Sequence, residues 1–377
     1  MALFHDIGDN EGIQNRQKGA VKMSHPSMSK RENLLRALRR QNPDHVPFAL
    51  SFCPKLAADF RDRYGVDDYE ALYGFPFRHV SIGPSDQIID YTPWHPHLPG
   101  NAWIDEWGVG AVPGSVAHFT RMLHPMETFT TADEVRQFPL PDLLADYRWQ
   151  DVAGRVTRIK QEGLAALYSA VQIFEPAWYL RGLDNLLVDM VLEPEIASAC
   201  LERMTVIQSG IAARMAAAGV DLIVFGDDVG TQKSLMMQPE TWRTWLKPTM
   251  QRAISAAKNA NPDVLAYYHS DGVINEIIPD LIEIGVDVLN PVQPECMDPA
   301  LIKRQYGEHL SFWGTIGTQT TMPFGTPDEV RETVRLRIET VGQSGGLVIA
   351  PTHLLEPEVP WANIDALVEA VRTYGKY

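Results

Sequence analysis

The second half of the chain alternates short apolar runs with longer amphipathic stretches. The runs are 164–171 (LAALYSAV), 222–226 (LIVFG), 264–269 (VLAYYH), 286–290 (VDVLN), 310–314 (LSFWG) and 347–351 (LVIAP). Between them, residues 193–218, 239–259, 273–284 and 327–341 read as helices. Gln238-Pro239 and Thr326-Pro327 place a proline at the first helical position behind a polar residue. Short strands buried on both faces and separated by helices predict a parallel sheet. Near the N-terminus, Ser29 and Glu32 have the spacing of a capping box, opening a helix that ends before Asn42-Pro43. Val46 to Leu50 then reads as a first buried strand. Six runs, this strand and one more within residues 66–160 make eight, which predicts a (β/α)8 TIM barrel. An open doubly wound sheet is disfavoured, because no Gly-rich phosphate loop follows any strand. Residues 66–160 are rich in Trp, Pro, His and Asp, including Trp94, His95, His97, Trp103, Asp105, Glu106 and Trp107, with no clean period. They read as an inserted loop-rich segment covering a site, or equally as surface loops with aromatics tucked beneath. Residues 1–28 read as a loose N-terminal arm and a candidate homodimer contact, leaving 29–377 as a single barrel domain.

Composition narrows the function classes. The chain has 377 residues, is 45% hydrophobic and carries a formal net charge of −15. Lys and Arg form no basic stripe, so the summed field repels nucleic acid and anionic membranes alike. Cys53, Cys200 and Cys296 are far apart with no CxxC pair, which argues against a disulfide framework and for a reducing, cytoplasmic setting. No apolar run reaches membrane-spanning length, and the first residues lack the apolar core of a secretory signal.

The residues just after each run carry the chemistry. Glu175 comes after the first and Asp227-Asp228 after the second. The third ends in His269-Ser270-Asp271-Gly272, and the fourth in Asn290 with Gln293 beyond. Thr315 and Gln319 come after the fifth, His353 and Glu356 after the sixth. In a barrel the C-terminal strand ends share one face, where active sites lie. Glu175, Asp227, Asp228, His269, Asp271, Asn290 and His353 are therefore expected to converge. Two histidines among several carboxylates suit Zn²⁺, Fe²⁺ or Mn²⁺. His-x-Asp puts residues i and i+2 on one side just past a strand end. Taken alone, such a histidine is explained as well by a structural hydrogen bond. No G-x-S-x-G elbow is present and no Cys follows a strand in the regular region. A carboxylate pair of Glu175 with Asp227 or Asp228 leaves glycosidase-type chemistry open.

The chain from Gly219 onward resembles the corrinoid-dependent methyltransferases of the uroporphyrinogen-decarboxylase-like superfamily. The stretches that carry the likeness are GVDLIVFGDDVGTQ, QPETWRTWLKP, HSDG, IEIGVDVLNPVQPECMDP, LSFWGTIGTQTTMPFGTPDEV and APTHLLEPEVPWANIDAL. RENLLRALRRQNPDHVPF and DEWGV extend it to nearly everything after residue 29. The resemblance implies a (β/α)8 barrel and a bound zinc, held in that branch by His-x-Cys and a second Cys after the last strand. Here His269 matches the histidine, Asp271 stands at the first cysteine and His353 at the second. A His/Asp/His set is harder than His/Cys/Cys and suits an oxygen-bearing substrate better than a thiol.

The resemblance thus implies an O-demethylase. Its metal sits on His269, Asp271 and His353, and its methyl donor is a small methoxylated, aromatic compound. Its acceptor is a corrinoid (cobalamin), carried by a separate protein because no corrinoid-binding domain is evident. Asp227 or Asp228 would add a ligand or orient His269, and Glu175 would be a ligand, proton source or substrate contact. Trp107, Tyr268, Asn290, Gln293, Trp313 and Glu356 are candidate substrate contacts, as are Trp103 and Tyr267; each aromatic is explained equally well as packing. Three alternatives stay open: a metal-dependent lyase or hydrolase on the same barrel, a non-catalytic binder, and uroporphyrinogen-type decarboxylation. The last needs cations to grip carboxylates, and the segment after the first strand offers only Lys55, Arg61 and Arg63.

Overall fold

A computed structural model of the protein describes residues 28–114 and 119–377. The expected N-terminal arm lies almost wholly outside these residues. The described residues form ten strands: β1 (Phe77–His79), β2 (Trp103–Ile104), β3 (Gly110–Pro113), β4 (Thr120–Leu123), β5 (Ala165–Gln172), β6 (Leu222–Gly226), β7 (Leu265–His269), β8 (Val288–Asn290), β9 (Ser311–Ile316) and β10 (Leu347–Pro351). Seven form one curled parallel sheet in the order β1-β5-β6-β7-β8-β9-β10, wrapped by helices in the manner of a TIM barrel. All six regular apolar runs lie in this sheet. Their burial, as at Leu222, Ile223, Phe225, Phe312 and Ile349, makes the sheet the core.

The strand expected in the unclear middle is β1, which pairs with β5. The strand expected at Val46 to Leu50 makes only isolated parallel bridges to the β10 side, Phe48 to Ile349 and Phe52 to Leu355. Pro47 explains this, since it has no N–H for a ladder; its carbonyl accepts from Ile349 instead. This segment lies beside β10, where the expected eighth strand would stand. Among the described residues no ladder joins it to β1.

The helices start where their caps dictate. Thr326 and Glu329 complete a capping box ahead of Pro327–Thr340. Ser29 accepts from the Glu32 amide, but the Glu32 carboxylate goes to Arg36, so only half of that box forms. The stretch expected as one helix over 239–259 is two, Pro239–Trp245 and Lys247–Ala260, because Pro248 cannot continue the ladder of the first. The expected helix at 273–284 is a 3-10 turn and the short helix Ile278–Glu283. No helix among the described residues is long and apolar enough to cross a membrane.

Within the inserted segment, β2, β3 and β4 form an antiparallel sheet. Hydrogen bonds tie the segment to the barrel's flank. Arg181 donates to the Met126 and Glu127 carbonyls at 2.6 and 3.0 Å, and Arg203 to the Phe138 carbonyl at 2.7 Å.

Candidate metal centre

Parallel register sets the strand ends level: Gly226 lies beside His269, and His269 beside Asn290. The residues just past these ends meet. One ligand atom each from Asp228, His269 and Asp271 falls within 4.8 Å of the others. The loops after β6 and β7 approach backbone to backbone, and two glycines permit it. A Cβ on Gly230 would lie 2.3 Å from the Asp271 carbonyl oxygen. Gly272 has φ +79°, and its Cβ would lie 2.5 Å from the Thr231 carbonyl oxygen. Buried Ser270 ties the loops together, accepting from the Val229 amide at 3.1 Å. Asp228 accepts from the Asp271 amide at 2.8 Å.

Asn290 sets the histidine. Its amide nitrogen donates to the Trp313 carbonyl at 2.7 Å, which turns its oxygen toward His269 Nδ1, 2.5 Å away. An oxygen acceptor there puts the imidazole proton on Nδ1 and leaves the Nε2 lone pair facing Asp228 Oδ1 at 3.5 Å. Asp271 Oδ1 is buried with no partner. Its carboxyl is pushed above the usual range by burial, with Asp228 adding to the rise while His269 and His353 oppose it. A divalent cation would meet these needs together: the orphaned oxygen, the free lone pair and the adjacent like charges. The residues present fit a metal ion.

His353 stands outside this group of three. It is exposed, in a stretch after β10 that walls two neighbouring cavities of about 250 Å³ each. One lies over the barrel centre, lined by His269, Asn290, Tyr267 and Trp313, among others. The second is polar, lined by Asp271, Gln232, Gln293, Gln319, Glu356 and Glu358, among others. Thr352, His353 and Leu354 belong to both.

Other expected site residues fall elsewhere. Tyr268 is 1% exposed and its hydroxyl lies 3.5 Å from the Asp227 carbonyl. Strand alternation aims Tyr267 and His269 into the cavity and Tyr268 into the helix layer, so Tyr267 takes the place expected of Tyr268. Trp107 packs against the core within the insertion and walls neither cavity. The Asp227 carboxylate accepts from the Ile173 and Glu175 amides at 3.0 and 2.8 Å, capping the turn after β5. The role left open for either aspartate, orienting His269, goes to neither: Asn290 does it, while Asp228 faces the metal side. Glu175 is buried, accepting from Tyr179 at 2.8 Å and from Gln172. Burial, then Asp228, raises its carboxyl above the usual range.

Two residues near the site escape the sequence pattern. Tyr179, one turn beyond Glu175, gives no signal except that i+4 spacing. His79 ends β1 on the inner face, 51% exposed, with Nδ1 2.9 Å from Ser169 Oγ. A strand of three residues is too short to read by period.

A family model of uroporphyrinogen decarboxylase (URO-D) matches residues 124–374. The chain belongs to the URO-D family. Among solved structures, this URO-D family member is similar to a methyltransferase from Methanosarcina mazei. The TM-score is 0.67 at 18% identity, covering 92% of this chain and 99% of that one. That likeness establishes the barrel fold. A putative vitamin-B12 independent methionine synthase from Listeria monocytogenes aligns at 14% identity and TM-score 0.41, covering 87% and 95% of the two chains, too loosely to add to it. A search of the curated proteins finds no match.

Proposed function

We propose that this URO-D family member is a metal-dependent methyltransferase. It would take a methyl group from a small methoxylated aromatic compound and pass it to a corrinoid on a separate protein. One observation carries the reading: the Asp228, His269 and Asp271 group, with a buried unpartnered carboxylate oxygen and a histidine tautomer fixed by Asn290. The methyltransferase barrel of similar shape supports the reaction class.

Asp228, His269 and Asp271 would hold the ion, most simply zinc, with His353 on the substrate side. A divalent ion there supplies Lewis acidity to an ether oxygen. The chain's own groups do the rest. Asn290 fixes the imidazole, and Tyr267 and Trp313, edge to face at 5.4 Å, wall the place for an aromatic ring. The methyl carbon leaves without its C–O electron pair, which stays on oxygen, while the acceptor supplies the pair for the new bond. Glu175, its carboxyl raised above the usual range by burial, would supply the proton that the departing oxygen takes up.

Decarboxylation of a polycarboxylate is the poorer reading within the family. Lys55, Arg61 and Arg63 pair with Asp59, Asp67 and Asp365, and among the described residues no Lys or Arg walls either cavity.

Protein purified without chelator should contain about one ion per chain. Mixed with cob(I)alamin and a panel of methoxyarenes, it should form methylcobalamin, read by absorbance. Full turnover by metal-free protein would sink the mechanism, and turnover without corrinoid would favour a lyase or hydrolase. His353→Ala separates two roles: a ligand would cost metal content, a wall contact only turnover.

A further inference from the structure

Strand β5 carries a bulge. Its ladder with β6 pairs Ser169 with Val224 and Gln172 with Gly226, three steps along β5 against two along β6. The extra residue puts Ser169 and Gln172 on the same, inner face, where a regular strand would part them. Gln172 donates to Glu175. Ser169 is level with Val224 and Tyr267, one inward position below Gln172, Gly226 and His269. From Tyr267 the contacts continue round the inside of the barrel. Ring centroids lie 5.4 Å apart for Tyr267 and Trp313, 5.3 Å for Trp313 and Phe77, and 5.5 Å for Phe77 and His79. His79 Nδ1 closes the circle, 2.9 Å from Ser169 Oγ. Phe77, Tyr267, Trp313 and Val224 thus form an apolar floor under the metal centre, and Ser169 and His79 are its polar corner. Ser169 is exposed and His79 half-exposed although both face inward, so the corner opens onto the space inside the barrel mouth.

His79 Nε2 stands 3.9 Å from Glu70 Oε1. That acceptor places the ring proton on Nε2, and the Ser169 hydroxyl donates to the Nδ1 lone pair. Burial, with Arg78 adding to it, holds His79 below its usual value, which keeps that lone pair available at neutral pH. A hydroxyl that donates is a better acceptor in turn, and Ser169 Oγ keeps its own lone pairs for a donor inside the barrel. The corner is two strands from His269, roughly 10 Å along the sheet at the usual strand spacing. With a methoxy group at the metal, a hydroxyl next to it on the ring stays near the metal. One further round the ring reaches toward the corner.

We propose that Ser169, held by His79, accepts a hydrogen bond from a ring hydroxyl placed meta or para to the methoxy group of the substrate. This rests on the methyl-ether reading and narrows it to methoxyphenols of the 3- and 4-substituted kind. Ser169 is a specificity-determining residue and His79 a positioning residue that acts through it.

Four ligands test this: anisole and 2-, 3- and 4-methoxyphenol. Binding to zinc-loaded protein is measured by calorimetry with no corrinoid present, so that turnover plays no part. The 3- or the 4-isomer should bind about tenfold more tightly than anisole, and the 2-isomer within about threefold of anisole. Ser169→Ala should bring every isomer within about threefold of anisole while anisole itself binds as before. His79→Phe keeps the serine hydroxyl but removes what it donates to, and should lower the same preference with anisole again unchanged. A structural role for either residue would move anisole as well. Zinc content reports that the site is still folded, and a variant that loses zinc leaves the decision to the other. Anisole binding as tightly as the 3- and 4-isomers, the 2-isomer binding tightest, or a preference that survives either variant overturns this inference and leaves the methyl-ether reading standing. If none of the four binds, the methyl-ether reading falls and takes the inference with it.

Discussion

Strand β6 begins and ends at aspartates, and the two ends are treated in opposite ways. Before it, Asp221 is buried and fully met: Arg31 donates to it at 2.6 Å, Lys160 lies at 3.3 Å, and the Ala166 amide donates at 3.0 Å. Asp287, before β8, is likewise met by Lys258 at 2.9 Å and the Ala266 amide at 2.8 Å. Past the other end of the sheet lie Asp227, Asp228, Asp271 and Glu175. Among the described residues none of these four has a Lys or Arg ion pair; His269 approaches, 3.5 Å from Asp228, and His353 also bears on Asp271. One face of the barrel spends its acids on stability. The other gathers acids that meet no Lys or Arg among the described residues, which suits the cation proposed for this site.

Deleting a partner at each end puts this contrast under the greatest load. Asp271→Ala should reduce bound metal to below about a tenth of the wild-type content, measured by elemental analysis. The metal-free variant should unfold no earlier than metal-free wild type, because burial already penalises this carboxylate. Arg31→Ala should do the reverse. It strands the buried Asp221 with one cation and should cost about 2 kcal/mol in chemical denaturation, with metal content unchanged. Metal retained by the first variant, or lost by the second, would erase the distinction between the two ends.

This division is half legible in the sequence. The polar residues after each apolar run mark the functional face, because strands buried on both faces read as uninterrupted apolar text. His269, Asp271 and Asn290 are found that way. Asp227 and Asp228 are found that way too, but not which of them faces the metal side, since adjacent aspartates are indistinguishable until one is seen capping the Ile173 and Glu175 amides. His353 is raised to a ligand by its place in a family pattern. Its backbone emerges past β10 on an exposed stretch, a matter of loop path that no spacing encodes. Tyr268 is preferred to Tyr267 although the two-residue period from His269 already points to Tyr267. Residues 66–160 are the least legible, because two- to four-residue strands are below the length at which a period can be seen.

A milder test moves one step out from the ligands. Asn290→Ala removes the acceptor that holds the His269 proton on Nδ1, without touching a charge. Metal affinity should fall about 10- to 100-fold, less than for Asp271→Ala, as measured by competition with a chelator. No change in affinity would mean that the Asn290 contact positions the strand ends and not the tautomer.

The smallest effect is a pH slope, and it separates acids that are met from acids that are not. Burial, and after it Asp228, lifts the Glu175 carboxyl above its usual range. The fold therefore favours the protonated form. Its contribution to stability is complete below the unfolded value of about 4.3 and is lost as the pH rises through the folded value. Glu175→Gln is neutral throughout and keeps a hydrogen-bonding partner for Tyr179. In metal-free protein, the stability advantage of this variant over wild type should grow as the pH rises above about 4 and level off once it has passed the folded value. The same substitution would remove the proton assigned to the departing oxygen, so turnover should fall while metal content holds. Denaturation curves at a series of pH values check the first expectation. An advantage that shrinks as the pH rises would show Glu175 to be stabilised as a carboxylate, in the manner of Asp221, and would place it with the acids that the protein neutralises itself.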